Sequence, residues 1–204
     1  MPLNFKSPLP LKSLLIALLL SVAVGANAQE TSQLAIVKAD STWGKEIIKF
    51  PIDWAPEITF KGFEELRFAP QRTNMEHEEF WTLVLSWSVQ TTKEISQKEL
   101  EFNFYHYFDM LMKPNHFAQE FPEPELLFYD YDVNNTDTLF KGKMTFFDGL
   151  ISGKMITVNI LGSQTLCKTI GKAYVIFKIS PQQFTHPIWE KLEKITLKDD
   201  NCIH

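Results

Sequence analysis

One ten-residue segment alternates large apolar with mostly small polar side chains, and it limits the fold more than any other feature of the chain. The segment spans residues 81–90 and reads WTLVLSWSVQ. Side chains of an extended chain point alternately to its two faces, so this pattern predicts a strand with one face buried in the core. The residues on that face are Trp81, Leu83, Leu85, Trp87 and Val89.

Alternation of the same kind recurs further along the chain, in the segments 140–146, 156–160 and 173–179. Turn-forming pairs stand between these segments, which favours an antiparallel meander. Further strands are expected at 45–50, 64–68 and 125–133. The turn pairs are Asp148-Gly149, Ser152-Gly153 and Gly162-Ser163.

Two segments have helical periodicity instead. Ser96 and Glu99 form a capping box, and the apolar residues behind it recur at helical spacing until Pro114 ends the helix. A second, shorter stripe covers 188–195 and follows Pro187. Strands with one polar face need a cover on the other face. We therefore predict an α+β fold in which two helices cover one face of an antiparallel sheet of about six to eight strands.

The first 28 residues have the three parts of a secretory signal peptide. Lys6 and Lys12 precede an apolar run at 14–24, and small residues at Ala26 and Ala28 complete a cleavage site. Eleven helical residues span only about 16 Å, against about 30 Å for the apolar core of a bilayer. We expect export to the periplasm or the medium, and a mature chain of residues 29–204 that folds as one domain with no integral membrane segment.

The net charge of the chain helps to exclude one class of binding partner. Removing Lys6 and Lys12 with the signal peptide changes the net charge from −5 to −7. Proteins that bind nucleic acid present a basic surface, so this balance argues against a nucleic-acid partner. The sequence contains no phosphate-binding loop and no metal-binding motif, and we expect no cofactor.

The two cysteines, Cys167 and Cys202, leave two alternatives open. Outside the cytoplasm a disulfide is permitted, and a bridge here would close a loop of about 36 residues. Alternatively, Cys167 is a small buried apolar residue and Cys202 lies unpaired near the C-terminus.

Three groups of ionisable side chains are candidates for catalysis. His77 and Glu79 would share one face of an extended chain, where they could bind a metal ion or relay a proton. His106 and Asp109 stand three residues apart on the polar side of the predicted helix, where the aspartate could orient the histidine. His116 lies in the proline-flanked loop that follows.

Each candidate also has a structural interpretation without chemistry. The first pair fits a solvated acidic strand end, the second fits an exposed helix pair, and the loop fits a crossover from helix to strand. No serine-nucleophile motif accompanies the histidines.

The N-terminal third contains an unusual density of aromatic residues. Together its aromatic segments resemble a family of exported Gram-negative bacterial proteins of unknown function, which implies a stand-alone envelope domain and assigns no site residues. The segments are WGKEIIKFP (43–51), WAP (54–56), GFEELRFAP (62–70) and FW (80–81).

Two functional hypotheses follow. The first is a non-enzymatic envelope or secreted domain that binds a glycan, a peptide or a small apolar ligand through an aromatic surface. The alternative is an extracytoplasmic hydrolase or metal-dependent enzyme built on His77 and Glu79 with His106 or His116. The second hypothesis requires these side chains to lie within hydrogen-bonding or metal-ligand reach of one another.

Overall fold

The structure, a computed structural model, describes residues 34–115, 122–133, 137–199 and 201–202. This part of the chain contains nine strands, two α-helices and two 3₁₀ helices of three residues each. The α-helices are α1 (Gln97–Met112) and α2 (Ile188–Glu193). The strands are β1 (Val37–Lys38), β2 (Gly44–Phe50), β3 (Gly62–Phe68), β4 (Leu83–Gln90), β5 (Glu125–Val133), β6 (Asp137–Asp148), β7 (Lys154–Cys167), β8 (Lys172–Ser180) and β9 (Thr196–Leu197).

Seven strands form one antiparallel sheet in the order β2-β3-β4-β8-β7-β6-β5, and β1 pairs with β9 separately. The predicted α+β class and the meander β6-β7-β8 are confirmed. The predicted turn at Gly162-Ser163 is wrong, because both residues lie inside β7 opposite Phe140 and Leu139. A Cβ at Gly162 would come within 2.1 Å of the Phe140 ring, so the glycine makes room for this ring within the strand.

The capping box starts α1 as the sequence predicts. The Ser96 hydroxyl accepts from the Glu99 amide at 3.3 Å, and the Glu99 carboxylate accepts from the Ser96 amide at 2.9 Å. The helix then packs its apolar side, including Leu100 and Phe104, into the larger of two core clusters.

Trp87 stands at the centre of that larger cluster. Its side chain is fully buried, and its indole meets the ring of Phe177 edge-on with centroids 4.8 Å apart. Phe60 and Phe104 lie at 5.7 and 6.3 Å from the same indole. The face of β4 that the sequence predicts to be buried is therefore the face that α1 covers.

The second helix packs elsewhere. Ile188 and Trp189 of α2 belong to a separate cluster with Val84 of β4 and Ile176 of β8. These strand residues alternate with those that face α1, so the two helices lie on opposite faces of the sheet. The prediction that both helices cover one face is wrong, because β4 and β8 are buried on both faces where they meet at the centre of the sheet, with Val84 and Ile176 on the face that α2 covers.

Cys167 and Cys202 form a disulfide, with Cα atoms 5.2 Å apart. The bond ties the C-terminal segment to the end of β7, beside the second cluster. The described residues from Ile36 onward form one compact unit. None of the helices described is long and apolar enough to cross a bilayer.

Candidate functional site

An aromatic cavity of about 230 Å³ lies between α1 and the strands β2, β3 and β4. Its walls are mostly rings and aliphatic side chains, with one acidic and one basic residue among them. The lining residues are Glu46, Ile48, Trp54, Leu66, Phe68, Arg72, Trp81, Leu83, Leu85, Tyr107, Phe108, Leu111 and Leu150. Cavities of this composition, with few polar groups in an apolar wall, are typical of small-molecule sites.

Trp81 gives the cavity wall an unusual polar atom. The residue is only 4% exposed, and its indole Nε1 is buried without a hydrogen-bond partner in the described part of the chain. Its ring packs edge-on against Phe146 at 5.1 Å. A buried donor with no partner costs about 1–3 kcal/mol, so such atoms are rare and call for a reason.

The backbone at Trp81 is also strained, with φ at +50°. A residue with a Cβ adopts this left-handed conformation at an energetic cost. The sequence prediction that Trp81 belongs to the strand is wrong, because β4 begins only at Leu83. Trp81 therefore combines a strained backbone with a buried side chain that lines the cavity.

A buried carboxyl stands directly behind the cavity. The Glu64 side chain is fully buried on β3 and accepts hydrogen bonds of 2.7 Å from the Tyr107 hydroxyl and from the Trp87 indole N–H. Tyr107 lines the cavity and meets Trp54 edge-on at 5.2 Å. The hydrogen-bonded group therefore fixes one of the rings in the wall.

Burial raises the pKa of Glu64 to about 8, although the bonds from Tyr107 and Trp87 act to lower it. Burial and the neighbouring Glu64 hold the pKa of the Tyr107 hydroxyl well above its usual value. The glutamate is therefore largely protonated at neutral pH, which avoids a buried charge. Sequence reasoning missed this residue, although its position in β3 shares a face with Leu66 and Phe68.

Glu46 and Arg72 supply the charges of the cavity wall. The Arg72 guanidinium lies 4.2 Å from the centroid of the Phe68 ring, a cation–π contact. Glu46 projects from the edge strand β2 and is exposed. No salt bridge joins the two residues within the described ranges.

The loop between β3 and β4 brings Arg72 and Trp81 together. The Trp81 amide donates to the Arg72 carbonyl at 3.0 Å, and the Ala69 amide donates to the Thr82 carbonyl at 3.1 Å. Between them the chain makes successive tight turns, including a bond of 3.0 Å from the His77 amide to the Asn74 carbonyl. The expected extended chain through His77 and Glu79 is therefore wrong.

His77 and Glu79 do come together, but in a structural arrangement. The His77 Nδ1 accepts from the Glu79 amide at 3.1 Å. The Glu79 carboxylate accepts from the Gln71 amide and from the Lys191 ammonium of α2, both at 3.1 Å. This carboxylate holds the loop to the second helix.

His106 and Asp109 have different surroundings. His106 packs against the Phe102 ring with centroids 4.4 Å apart, while Asp109 is buried and binds Lys113 at 2.5 Å. Asp109 is therefore buried and does not lie on an exposed polar side of the helix, contrary to what the sequence predicts. The ion pair with Lys113 compensates the buried carboxylate. Its other oxygen, Oδ1, is buried without a partner among the described residues.

The histidine sites do not converge. Glu79 bonds to α2, whereas His106 belongs to α1 on the opposite face of the sheet. His116 lies outside the described residues. The described part of the chain contains no group of three or more metal-ligating side chains. No observation favours the hydrolase or metal-enzyme alternative.

Most of the aromatic residues of the N-terminal third pack into the two clusters or line the cavity. Trp43 is buried in the second cluster, and Trp54, Phe60 and Phe68 pack against the first. Phe102 is exposed on α1. Among the described residues, the aromatic side chains of this third therefore belong mainly to the core and the cavity wall.

A larger hollow of about 480 Å³ lies across β6, β7 and β8, beside α2. It is more open than the aromatic cavity, and a single ring, that of Phe140, lines it. It contains none of the buried unpartnered side-chain atoms. The aromatic cavity is therefore the better candidate site.

Comparison with protein-family models, with curated proteins and with solved structures finds no match for this chain.

Proposed function

We propose that the protein binds a small, largely apolar ring compound in the aromatic cavity and performs no chemistry on it. The observation that carries the proposal is the cavity itself, which is lined by five aromatic rings and several aliphatic side chains, with the strained and buried Trp81 in its wall. A ligand ring seated among these side chains would remove its own apolar surface and theirs from water.

The size and chemistry of the cavity select among ligand classes. A cavity of about 150 Å³ lined by apolar residues is enough for benzene, so about 230 Å³ suits one ring with a short substituent. A glycan needs many paired polar groups, and a peptide needs an extended groove. Few polar side chains line this cavity, which favours the small apolar ligand over the other two classes.

We further propose that the protein performs this role outside the cytoplasm, after removal of residues 1–28. The charged start, the apolar run and the small residues at Ala26 and Ala28 support export. The disulfide between Cys167 and Cys202 is the kind of bond that persists in an oxidising compartment.

The proposal is tested by calorimetric titration of the mature chain with 2-phenylethanol, a one-ring probe with a hydroxyl acceptor. Ile48→Trp on edge strand β2 fills the cavity from its wall and should weaken binding at least about tenfold. Leu127→Trp makes a comparable enlargement on the other edge strand, at an exposed position outside the cavity. This control should bind like the wild type.

Saturable binding that Ile48→Trp abolishes and Leu127→Trp preserves supports the proposal. Absence of binding up to the solubility limit of the probe contradicts it, and so does equal binding by both variants. Thermal unfolding of each variant shows whether a lost signal reflects a filled cavity or a lost fold.

A further inference from the structure

The two charges in the cavity wall have opposite sign. Glu46 on β2 pairs in register with Leu66 of β3, so the next residue on that face of β3, Phe68, is its diagonal neighbour. Such neighbours are about 7–8 Å apart at their Cα atoms. Because the Arg72 guanidinium stands over the Phe68 ring, an acid and a base flank the same ring at the cavity wall.

Each of these charges suits a different ligand group. A guanidinium binds a carboxylate through two parallel hydrogen bonds, and the Arg72 guanidinium lies at the cavity wall over the Phe68 ring. A carboxylate beside aromatic faces attracts an ammonium group, and Glu46 lies in one wall with Trp54 and Tyr107. No salt bridge among the described residues joins Arg72 to Glu46, so neither charge is neutralised by the other.

A second carboxyl lies close to Glu46. Burial raises the pKa of Glu64, and the negative charge of Glu46 adds to that rise. The same charge adds to the raised pKa of Tyr107. Glu46 therefore contributes a negative potential at this part of the wall, which favours a cationic group there.

We infer that the ligand is a small zwitterion of the amino-acid type, with its apolar side chain among the rings, its carboxylate at Arg72 and its ammonium at Glu46. This inference rests on the proposed function and specifies the ligand class for the same cavity. A neutral ring compound contacts only the apolar side chains of the cavity, whereas a zwitterion also pairs with both charges.

Four probes that share a phenyl ring separate the contributions. They are L-phenylalanine, 3-phenylpropanoate (the same molecule without the amine), phenethylamine (the same molecule without the carboxylate) and neutral 2-phenylethanol. Each charged contact should contribute about tenfold in affinity, the scale of one charge-assisted hydrogen bond. Phenylalanine should therefore bind about tenfold tighter than either singly charged probe.

Two charge-neutralising variants assign the contacts. Arg72→Gln should reduce phenylalanine to the affinity of phenethylamine, and Glu46→Gln should reduce it to that of 3-phenylpropanoate. Lys49→Gln and Glu57→Gln neutralise exposed charges outside the cavity and are the matched controls. Neither control should change the order of the four affinities.

Equal affinities for all four probes would overturn the zwitterion and leave the proposed function standing. A singly charged probe that matches phenylalanine would also overturn it, since one of the two charges would then be unused. Binding of none of the four contradicts the proposed function as well.

Discussion

The hydroxyl of Tyr107 on α1 donates a hydrogen bond of 2.7 Å to the buried carboxyl of Glu64 on β3. Tyr107 also lines the aromatic cavity, so a polar contact inside the core fixes one wall of the site. This hydrogen bond therefore links the helix, the sheet and the cavity wall. A change in the charge of Glu64 should alter both the stability of the fold and the binding of a ligand in the cavity.

The protonation of Glu64 predicts how stability depends on pH. Its pKa rises from 4.5 to about 8 on folding, so the folded state binds a proton that the unfolded state releases between these values. The contribution is fully present below pH 4.5 and is lost as pH rises through 8. Relative to Glu64→Gln, the wild type should lose about 1.4 kcal/mol per pH unit across this window.

Urea unfolding of the wild type, Glu64→Gln and the exposed control Glu57→Gln between pH 4 and 9 measures this difference. The control should keep the pH dependence of the wild type. Parallel stability curves for the wild type and Glu64→Gln would mean that the carboxyl is ionised throughout, against the expectation.

Two tryptophans of the larger cluster should respond differently to the same substitution. Trp81→Phe removes an N–H that has no partner, whereas Trp87→Phe removes one that bonds to Glu64 at 2.7 Å. Both residues are buried, so the loss of ring volume is matched. Trp87→Phe should cost about 1–3 kcal/mol more in the free energy of unfolding, because it leaves a buried carboxyl oxygen without its donor.

Chemical denaturation of the two variants at pH 7 gives the comparison. An equal loss of stability in both would show that the Trp81 N–H has a bonding partner in solution.

The disulfide should contribute substantially to stability. Cys167 and Cys202 are separated by 35 residues, and closing a loop of this length restricts the unfolded chain by about 3–4 kcal/mol. The double variant Cys167→Ser/Cys202→Ser should lose this amount, and reductant should lower the stability of the wild type alone. A wild-type melting curve unchanged by reductant would contradict the pairing.

The predicted cleavage of the signal peptide during export implies that the mature protein has a defined N-terminus. Expressed with its native leader in a Gram-negative host, the protein should appear outside the cytoplasm with Gln29 as its first residue. Ala28→Arg places a large charged residue at the cleavage site and should block processing. Intact mass of the fractionated protein decides this, and an uncleaved wild-type chain in the cytoplasm would contradict the expectation.

Local pattern predicted most of the elements, because alternation and helical spacing are properties of short segments. β5 has the predicted bounds, and α1 begins at the predicted capping box. The strand around Trp87 begins two residues later than expected, at Leu83, because the Trp81 backbone is left-handed. Such a conformation is imposed by the loop that precedes it and not by the tryptophan itself.

The positions of the helices and of the site could not be predicted from local pattern, because they depend on contacts between residues that are far apart in the sequence. Val84 of β4 and Ile176 of β8 are distant in the sequence but together form part of the surface that α2 covers. Glu64 looked like an ordinary polar strand residue, and only the fold brings Tyr107 and Trp87 to its carboxyl. Composition can indicate an aromatic site, but tertiary packing determines whether its rings form an exposed patch or line a cavity.

The most direct test of the central claim observes the Trp81 indole itself. The chain has five tryptophans, and their indole N–H signals can be followed by two-dimensional ¹H–¹⁵N NMR and assigned through variants such as Trp81→Phe. On titration with 2-phenylethanol the Trp81 signal should shift and saturate, while Trp43 and Trp189 of the second cluster stay unchanged. An unmoved Trp81 signal, or shifts confined to Trp43 and Trp189, would contradict binding in the aromatic cavity.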